Sequence, residues 1–578
     1  MFRRGRKATA FLVAAASVIS MMPASALAAD YTKVKDEKGI ITKAVAYKDG
    51  KFYIDGEPKS KDESVYYLDG GKYSEIKKVD TGDDVEIYGS KYLSIDNDEY
   101  YLDLSNGKLS EDEVEEEELD NVSEKLRKAI KSDNDDRYND TEAKNYKDVT
   151  VIPGNKFSDT YYKAEYKYKE KKASVNGNAE NAIVYTSADG KYIDADYNVG
   201  TIRVKLENNK SVKLENTVKD DNDVRVSVYD IKEIGQNSSN IYRKAKICIN
   251  STVTNSAIKE INGIDVENDS KYFKVDDNGK KVTFDVIQVI SKAQSSKDID
   301  GIKYAKTVEN YMICEEDGDE EELLTNGSFS IIDNKKLLCY EIDGSNVYTE
   351  VIELKSKGSK YYVDVDDTDE IELTDGENSF DVDVSGNLWA ISDEYIYKFN
   401  NKSEWKKVYK VNDDFDSLSV YDEKNMIAWS EDEEVYSIIS SKSSNSSNSS
   451  SSDNNTNTNT NNTNNNNSNN NSNNNTSTLK GWVFGQDGKW YFYKNDGTKA
   501  VGWYKDGATW YYLNANGDMK TGWLYDNGTW YYLKESGAMA TGWINDGGTW
   551  YYLNAAGAML SNTTVDGYKL GPTGAWIK

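Results

Sequence analysis

Along most of the chain, short runs of Tyr, Val, Ile and Leu alternate with polar positions, and Asp-Gly, Asn-Gly or Gly-Gly pairs break the runs. The stretch Val65-Tyr66-Tyr67-Leu68-Asp69-Gly70-Gly71-Lys72-Tyr73 sets two such runs around a glycine pair, which predicts an antiparallel hairpin. The pattern recurs at residues 100–103, 183–190, 328–332 and 361–364, with only Pro58 and Pro153 interrupting, so a mostly antiparallel β body is predicted. One segment has the other periodicity. Val114, Val122, Leu126 and Ile130 fall near one helical face behind Ser110-Glu111-Asp112-Glu113, whose spacing is that of a capping box, and an acidic helix is expected near residues 110–131. Its acids are read as a solvated face.

Near the end of this body, Asp383-Val384-Ser385-Gly386-Asn387-Leu388-Trp389-Ala390-Ile391, followed by Ile396-Tyr397-Lys398-Phe399, resembles a β-propeller blade motif. A looser copy runs through Tyr421-Asp422, Ile427-Ala428-Trp429 and Val435-Tyr436, which sets Trp389 and Trp429 forty residues apart, within a blade period. A propeller and a sandwich or stack of sheets both suit this spacing. Asp381-Val382-Asp383-Val384-Ser385-Gly386 mimics the start of a calcium loop, but Ser392 stands where a bidentate Glu is wanted. An Asx turn leading into the Trp389 strand is expected instead, and no metal is assigned.

The two ends of the chain read differently. Arg3, Arg4, Arg6 and Lys7, an apolar stretch from Ala8 to about Met22, and Ala26-Leu27-Ala28 have the make-up of a secretory signal, with cleavage expected after Ala28. No Cys follows to take a lipid, and no other apolar run is long enough to span a membrane. Residues 440–478 are almost pure Ser, Asn and Thr, with Lys442 and Asp453 the only charges. Such a tract has too little apolar area to offset its chain entropy and reads as a flexible tether, with a reach of roughly 35 Å by random-coil scaling. The expected order is a signal at 1–28, a β body at 29–439, a linker at 440–478 and a repeat module at 479–578.

Charge and composition narrow the chemistry. The formal charge of −29 is uneven: the signal carries four positive charges and residues 479–578 carry nine Lys against eight acids, which leaves −34 on the body. That surface repels nucleic acid and anionic membranes, so no nucleic-acid partner is expected. Histidine is absent, which excludes zinc sites built on imidazole, Cys-His peptidases and Ser-His-Asp hydrolases. Glycoside hydrolysis by two carboxylates survives that exclusion. Cys248, Cys314 and Cys339 sit beside apolar residues without metal-ligand spacing and read as buried thiols.

The carboxyl-terminal module holds nine of the twelve tryptophans. A twenty-residue unit repeats as Gly502-Trp503, Gly522-Trp523 and Gly542-Trp543, each followed seven residues later by Trp510, Trp530 and Trp550. Each second Trp opens a Trp-Tyr-Tyr-Leu run, and a Gly-x-Met ending at Met519, Met539 or Met559 closes the unit. Period-two alternation places Trp510 and Tyr512 on one face of a strand, with Tyr511 and Leu513 on the other. Asp506-Gly507, Asn527-Gly528 and Gly547-Gly548 supply turn residues, so each unit is predicted to be a hairpin too small to bury its own rings. Stacking of successive hairpins into a β-solenoid is the remedy. Rings left over at each junction would offer faces with few counter-charges nearby, suited to a quaternary ammonium or to a sugar face.

Gly-Trp, then Trp-Tyr-Tyr-Leu opening seven residues after that Trp, then Gly-x-Met-x-Thr-Gly-Trp resembles the choline-binding and glucan-binding cell-wall repeats of Gram-positive bacteria, over residues 481–578. Asp566-Gly567-Tyr568 through Gly571 and Gly574-Ala575-Trp576 resembles the terminal repeat of clostridial members. The resemblance implies cages of two aromatics from one hairpin and one from the next, with a Met nearby. Carried onto this sequence, the cages comprise Trp503, Trp510 and Tyr532; Trp523, Trp530 and Tyr552; and Trp543, Trp550 and Tyr568; with Met519 and Met539 alongside. The first unit departs from the pattern at Lys499 and Phe492-Tyr493, so no cage is assigned to Trp482 and Trp490. The implied partner is a wall polymer, choline-bearing teichoic acid or a polysaccharide such as a glucan, held by several weak sites acting together. The implied protein is secreted and associated with the cell wall, and it displays the acidic body toward an unidentified ligand. The alternative is a wall-degrading glycosidase with paired carboxylates in that body. No local enzyme motif is present, so no catalytic residue and no cofactor is assigned.

Overall fold

The computed structural model describes residues 34–139, 146–174, 177–218, 224–252, 256–266, 272–276, 278–368 and 370–440, and then 481–484, 490–494, 498–506, 509–514, 517–526, 529–534, 537–546, 549–554, 556–565 and 567–577. The expected signal, nearly all of the expected linker, and the turn glycines Gly507, Gly528, Gly547 and Gly548 lie outside the described residues. The chain divides into two compact units, Met1–Ser450 and Ser451–Lys578.

The first unit is built almost entirely of antiparallel sheets, because its alternating runs each have one face to bury and a turn signal after every few residues. The Gly70-Gly71 pair joins strands Ser64–Asp69 and Lys72–Glu75, with Asp69 opposite Lys72. A four-strand meander follows from Val85–Tyr88 to Lys108–Ser110, and another runs from Phe380–Val382 to Trp405–Lys410. Sheets of six, four and ten strands lie between these in sequence. No sheet closes on itself, so the unit is not a barrel. The last strand of the unit, Val435–Ser440, pairs with the first, Glu37–Tyr47, through Glu37 opposite Tyr436 and Lys38 opposite Val435. The Tyr436 hydroxyl also donates to the Glu37 carboxylate at 3.1 Å, tying together residues nearly four hundred positions apart.

The single α-helix among the described residues is Val114–Asp133. It buries Val122, Leu126 and Ile130 against Tyr138 and against Tyr146, Tyr162, Tyr166 and Val184 of the six-stranded sheet. Each buried aliphatic side chain contributes about 2 kcal/mol there. The capping box is not formed. Ser110 pairs with Tyr101 as the end of a strand and its hydroxyl is held by Asp112, so the helix begins at Val114 without a side-chain cap. Glu115, Glu116 and Glu117 instead place negative charge at the positive end of the helix dipole.

The calcium-like segment closes on itself. Asp383 Oδ1 accepts from the Ser385 and Asn387 amides at 2.9 and 3.0 Å, and Oδ2 accepts from the Trp389 indole N–H at 2.9 Å. Both carboxylate oxygens are thus used by an Asx turn that seats the fully buried Trp389. All three cysteines are buried and unpaired. Desolvation pushes the thiols of Cys314 and Cys339 up to about 12. No helix among the described residues is long and apolar enough to cross a membrane.

Candidate ligand site in the aromatic repeats

Each repeat folds as the local pattern requires: two five-residue strands, of which Gly502–Asp506 and Thr509–Leu513, Gly522–Asp526 and Thr529–Leu533, and Gly542–Asp546 and Thr549–Leu553 are the regular copies. Trp503 stands opposite Tyr512, and Lys505 opposite Trp510, so Trp503, Trp510 and Tyr512 share one face of their hairpin. Tyr504, Tyr511 and Leu513 share the other. Leu513, Leu533 and Leu553 are fully buried, whereas Trp510, Trp530 and Trp550 remain 40%, 43% and 42% exposed. The apolar side therefore cements the stack, and one wall of each junction stays open.

The segments that follow the hairpins lock the stack together. The Met539 amide donates to the Trp510 carbonyl, and the Met559 amide to the Trp530 carbonyl, both at 2.8 Å. Gly537 and Gly557 sit against the preceding methionines: a Cβ on Gly537 would lie 2.1 Å from Met519 Sδ, and both glycines have φ of +78°. Only glycine satisfies both conditions, which explains the Gly of each Gly-x-Met.

At the junction after the second hairpin, the Trp503 ring meets Trp510 at 6.4 Å, Tyr512 at 5.3 Å and Tyr531 of the next hairpin at 4.8 Å. The following junction repeats this with Trp523 against Trp530 at 6.1 Å, Tyr532 at 5.1 Å and Tyr551 at 4.8 Å. The partner ring from the next hairpin is therefore Tyr531 or Tyr551, and not Tyr532 or Tyr552. Facing parity is the reason. Tyr532 lies on the same face as Trp523 and Trp530 and looks toward the junction beyond, whereas Tyr531 lies on the opposite face and looks back at Trp503. At the last junction the expected set comes together: Trp543, Trp550, Tyr568 and Trp576 line a cavity of about 370 Å³, with Trp543 and Tyr568 at 5.5 Å. Tyr568 occupies the position of the first Tyr of the run, and Trp576 that of the methionine.

Met539 attaches to the Trp503 and Trp510 junction, and Met519 to the one before, where its amide donates to the Trp490 carbonyl at 2.7 Å. That first junction, left unassigned in the sequence, has the same arrangement, with Trp482 at 4.6 Å from Tyr511 and Trp490 43% exposed. On the far side of the first hairpin, Lys499 replaces Met and its ammonium rests 3.4 Å from the centroid of Tyr491, the counterpart of Tyr511. At this end a cation of the chain itself occupies the kind of ring face that elsewhere is open.

One participant escaped the sequence reading. Asp526 Oδ2 accepts from Trp503 Nε1 at 3.0 Å, and Asp546 Oδ2 from Trp523 Nε1 at 2.9 Å, each reaching back from the next hairpin. The junctions are thus backed by carboxylates rather than poor in counter-charge. The sequence carries the signal: Asp recurs three residues after the Trp of each Gly-Trp, at Asp506, Asp526 and Asp546. A ring cage with a carboxylate on the indole edge favours a desolvated monovalent cation. Among the described residues no His, Cys, Asp or Glu cluster could hold a metal ion.

Two family models match within these repeats. A choline-binding repeat model matches residues 520–563, and a cell wall binding repeat model matches residues 501–519. No curated protein matches the chain. Among solved structures, the choline binding domain of a Streptococcus pneumoniae protein is 41% identical, covering 14% of this chain and 96% of that one, with a TM-score of 0.14. The multimodular pneumococcal cell wall endolysin of phage Cp-1, solved with choline, is 39% identical over 16% of this chain and 28% of its own, with a TM-score of 0.14. The modular autolysin LytC of Streptococcus pneumoniae is 31% identical over 17% of this chain and 28% of its own, with a TM-score of 0.12. The chain thus spans little more than a quarter of the length of either of these two.

Proposed function

We propose that this chain, whose residues 501–563 match choline-binding and cell wall binding repeat models, is a secreted protein held without a covalent link at a Gram-positive cell wall by choline-bearing teichoic acid, where it displays the acidic β unit. The observation that carries this reading is the recurrence of one arrangement, two Trp of a hairpin and the first Tyr of the next around an open face, at successive junctions. Each site is weak alone. Binding of several along one polymer multiplies the retention without any new contact.

The cages in this proposal are Trp503, Trp510 and Tyr531; Trp523, Trp530 and Tyr551; and Trp543, Trp550 and Tyr568, with Met539 and Met559 at the first two. The carboxylates of Asp526 and Asp546 favour choline over a glucan. For the acidic unit we propose a propeller-like plan, supported by the successive four-stranded meanders and by the pairing of the last strand with the first.

The test is retention of the full chain on a choline-bearing resin. Elution by free choline at millimolar concentration, with no release by glucose oligomers, is the expected outcome. Passage through the resin together with retention on a glucan matrix would transfer the repeats to a sugar ligand.

A further inference from the structure

A cleft of about 1130 Å³ opens in the acidic unit where three sheets meet. One wall is the hairpin Gln294–Ile299 and Ile302–Ala305, the second the start of strand Asn198–Leu206 with the end of Ser211–Asn216, and the third strand Val308–Met312 with Tyr361. It exceeds the roughly 300–1,000 Å³ of sites for single small molecules. Its lining is amides, hydroxyls and tyrosines together with the charged Glu215, Lys297, Asp298, Lys306 and Glu309, with Val308 the one aliphatic residue among them.

The floor is fixed from beneath. Asn310 Nδ2 donates to the Val199 carbonyl at 2.7 Å, Gln288 Nε2 donates to Asn310 Oδ1 at 2.6 Å, and Arg243 Nε donates to Gln288 Oε1 at 2.8 Å. Asn198 Nδ2 donates to the Ala305 carbonyl at 2.9 Å and so joins two walls. Gly200 lets those walls approach: at φ +67°, a Cβ there would lie 2.1 Å from the Val308 carbonyl oxygen. Tyr197 and Tyr304 stand 4.7 Å apart on one side, with the buried Arg137 guanidinium 5.6 Å from the Tyr197 ring. The cleft is therefore rigid before any ligand arrives, which lowers the cost of ordering.

The charges divide in a telling way. Glu309 is engaged by the Tyr311 hydroxyl and Lys335, both at 2.7 Å, Glu215 by Lys213 at 2.5 Å and Asp298 by Lys303 at 3.5 Å. The acids of the cleft are thus each taken up by a lysine, in a unit that elsewhere carries a large excess of negative charge. A lipid would find no apolar wall, and a nucleic acid would meet three carboxylates against only two lysines, Lys297 and Lys306. Tyrosine faces that can cover the C–H side of a pyranose, among hydroxyls and amides that can bond its hydroxyls, fit a saccharide. We propose that this cleft binds a saccharide chain several units long, independently of what the repeats bind.

The test is calorimetric titration of the full chain, in saturating choline, with hexasaccharides of β-linked glucose, of N-acetylglucosamine and of alternating glucuronate and N-acetylglucosamine. At least one is expected to bind with a Kd between about 10 μM and 1 mM. Tyr304→Ala should weaken that binding at least tenfold. Thr201→Trp, an exposed position on the wall that leaves both tyrosines in place, should abolish it by filling the space. Retention on choline resin should be unchanged in both variants. No binding by any of the three sugars overturns the proposal. So does binding that is indifferent to both cleft variants but lost in Trp530→Ala, which would assign the sugar to the repeats.

Discussion

Replacing Asp526 and Asp546 together by Asn tests the electrostatics of the junctions while preserving their shape. Asn keeps the volume and an oxygen able to accept the indole N–H bonds now at 3.0 and 2.9 Å. Removing the charge from such a bond costs about 1 kcal/mol per junction in stability, the difference between charged and neutral hydrogen bonds. The effect on choline is larger than shape alone allows. A trimethylammonium resting on the Trp503 or Trp523 face lies about 7 Å from the carboxylate, given a ring contact within about 6 Å of the centroid. Coulomb attraction at that distance is about 0.6 kcal/mol at the dielectric of water and about 2.4 kcal/mol at an effective dielectric of 20. The two junctions should therefore lose between about threefold and fiftyfold in choline affinity. Calorimetric titration of the full chain with choline at low and high salt reads this directly. Wild-type affinity should fall with ionic strength, and the double variant should show a flatter dependence. An unchanged affinity and salt dependence in the variant would refute a role for the carboxylates and return the choice between cation and sugar to an open state.

Three further outcomes follow from the geometry. Tyr551→Ala should remove choline binding at the Trp523 and Trp530 junction by about 2 kcal/mol, whereas Tyr552→Ala, whose ring lies 5.2 Å from Trp543, should disturb only the next junction; methyl-proton shifts of bound choline in each variant would separate the two. Asp194→Asn should destabilise the acidic unit by about 3–5 kcal/mol in urea unfolding, because Arg137 and Tyr138 both direct donors at Asp194 Oδ2 at 2.6 Å and the guanidinium would be left buried without its charge partner. The cysteines should resist iodoacetamide at pH 8 in the native protein and react after unfolding, since burial holds Cys314 and Cys339 at about 12, far above that pH; mass spectrometry reads the labelling, and rapid native modification would contradict their burial.

Local features were the legible ones. The hairpins announced themselves because strand period and turn residues lie within a few positions of one another, and the Asx turn at Asp383 needed only the spacing to Asn387 and Trp389. The capping box failed because Ser110 had a competing use as a strand residue opposite Tyr101, which no local pattern reveals. Sheet order in the acidic unit was closed to sequence reasoning for a similar cause. The pairing of Glu37 with Tyr436 joins the two ends of the unit, and nothing near either residue encodes the other. Within the repeats the spacing of the tryptophans places Trp503 with Trp510 and Trp523 with Trp530 on one hairpin face, while the contact with Tyr531 and Tyr551 follows only when the parity rule is applied across two hairpins rather than one. Asp526 and Asp546 were hidden by a second role, since Asp before a turn is explained well enough without an indole to bond.

The most direct test of the central claim is to locate choline itself. Crystals of the full chain soaked with choline should show a trimethylammonium group enclosed by Trp523, Trp530 and Tyr551, with equivalent density against Trp503, Trp510 and Tyr531. Density elsewhere, or rings closed on one another with nothing between them, would contradict the account.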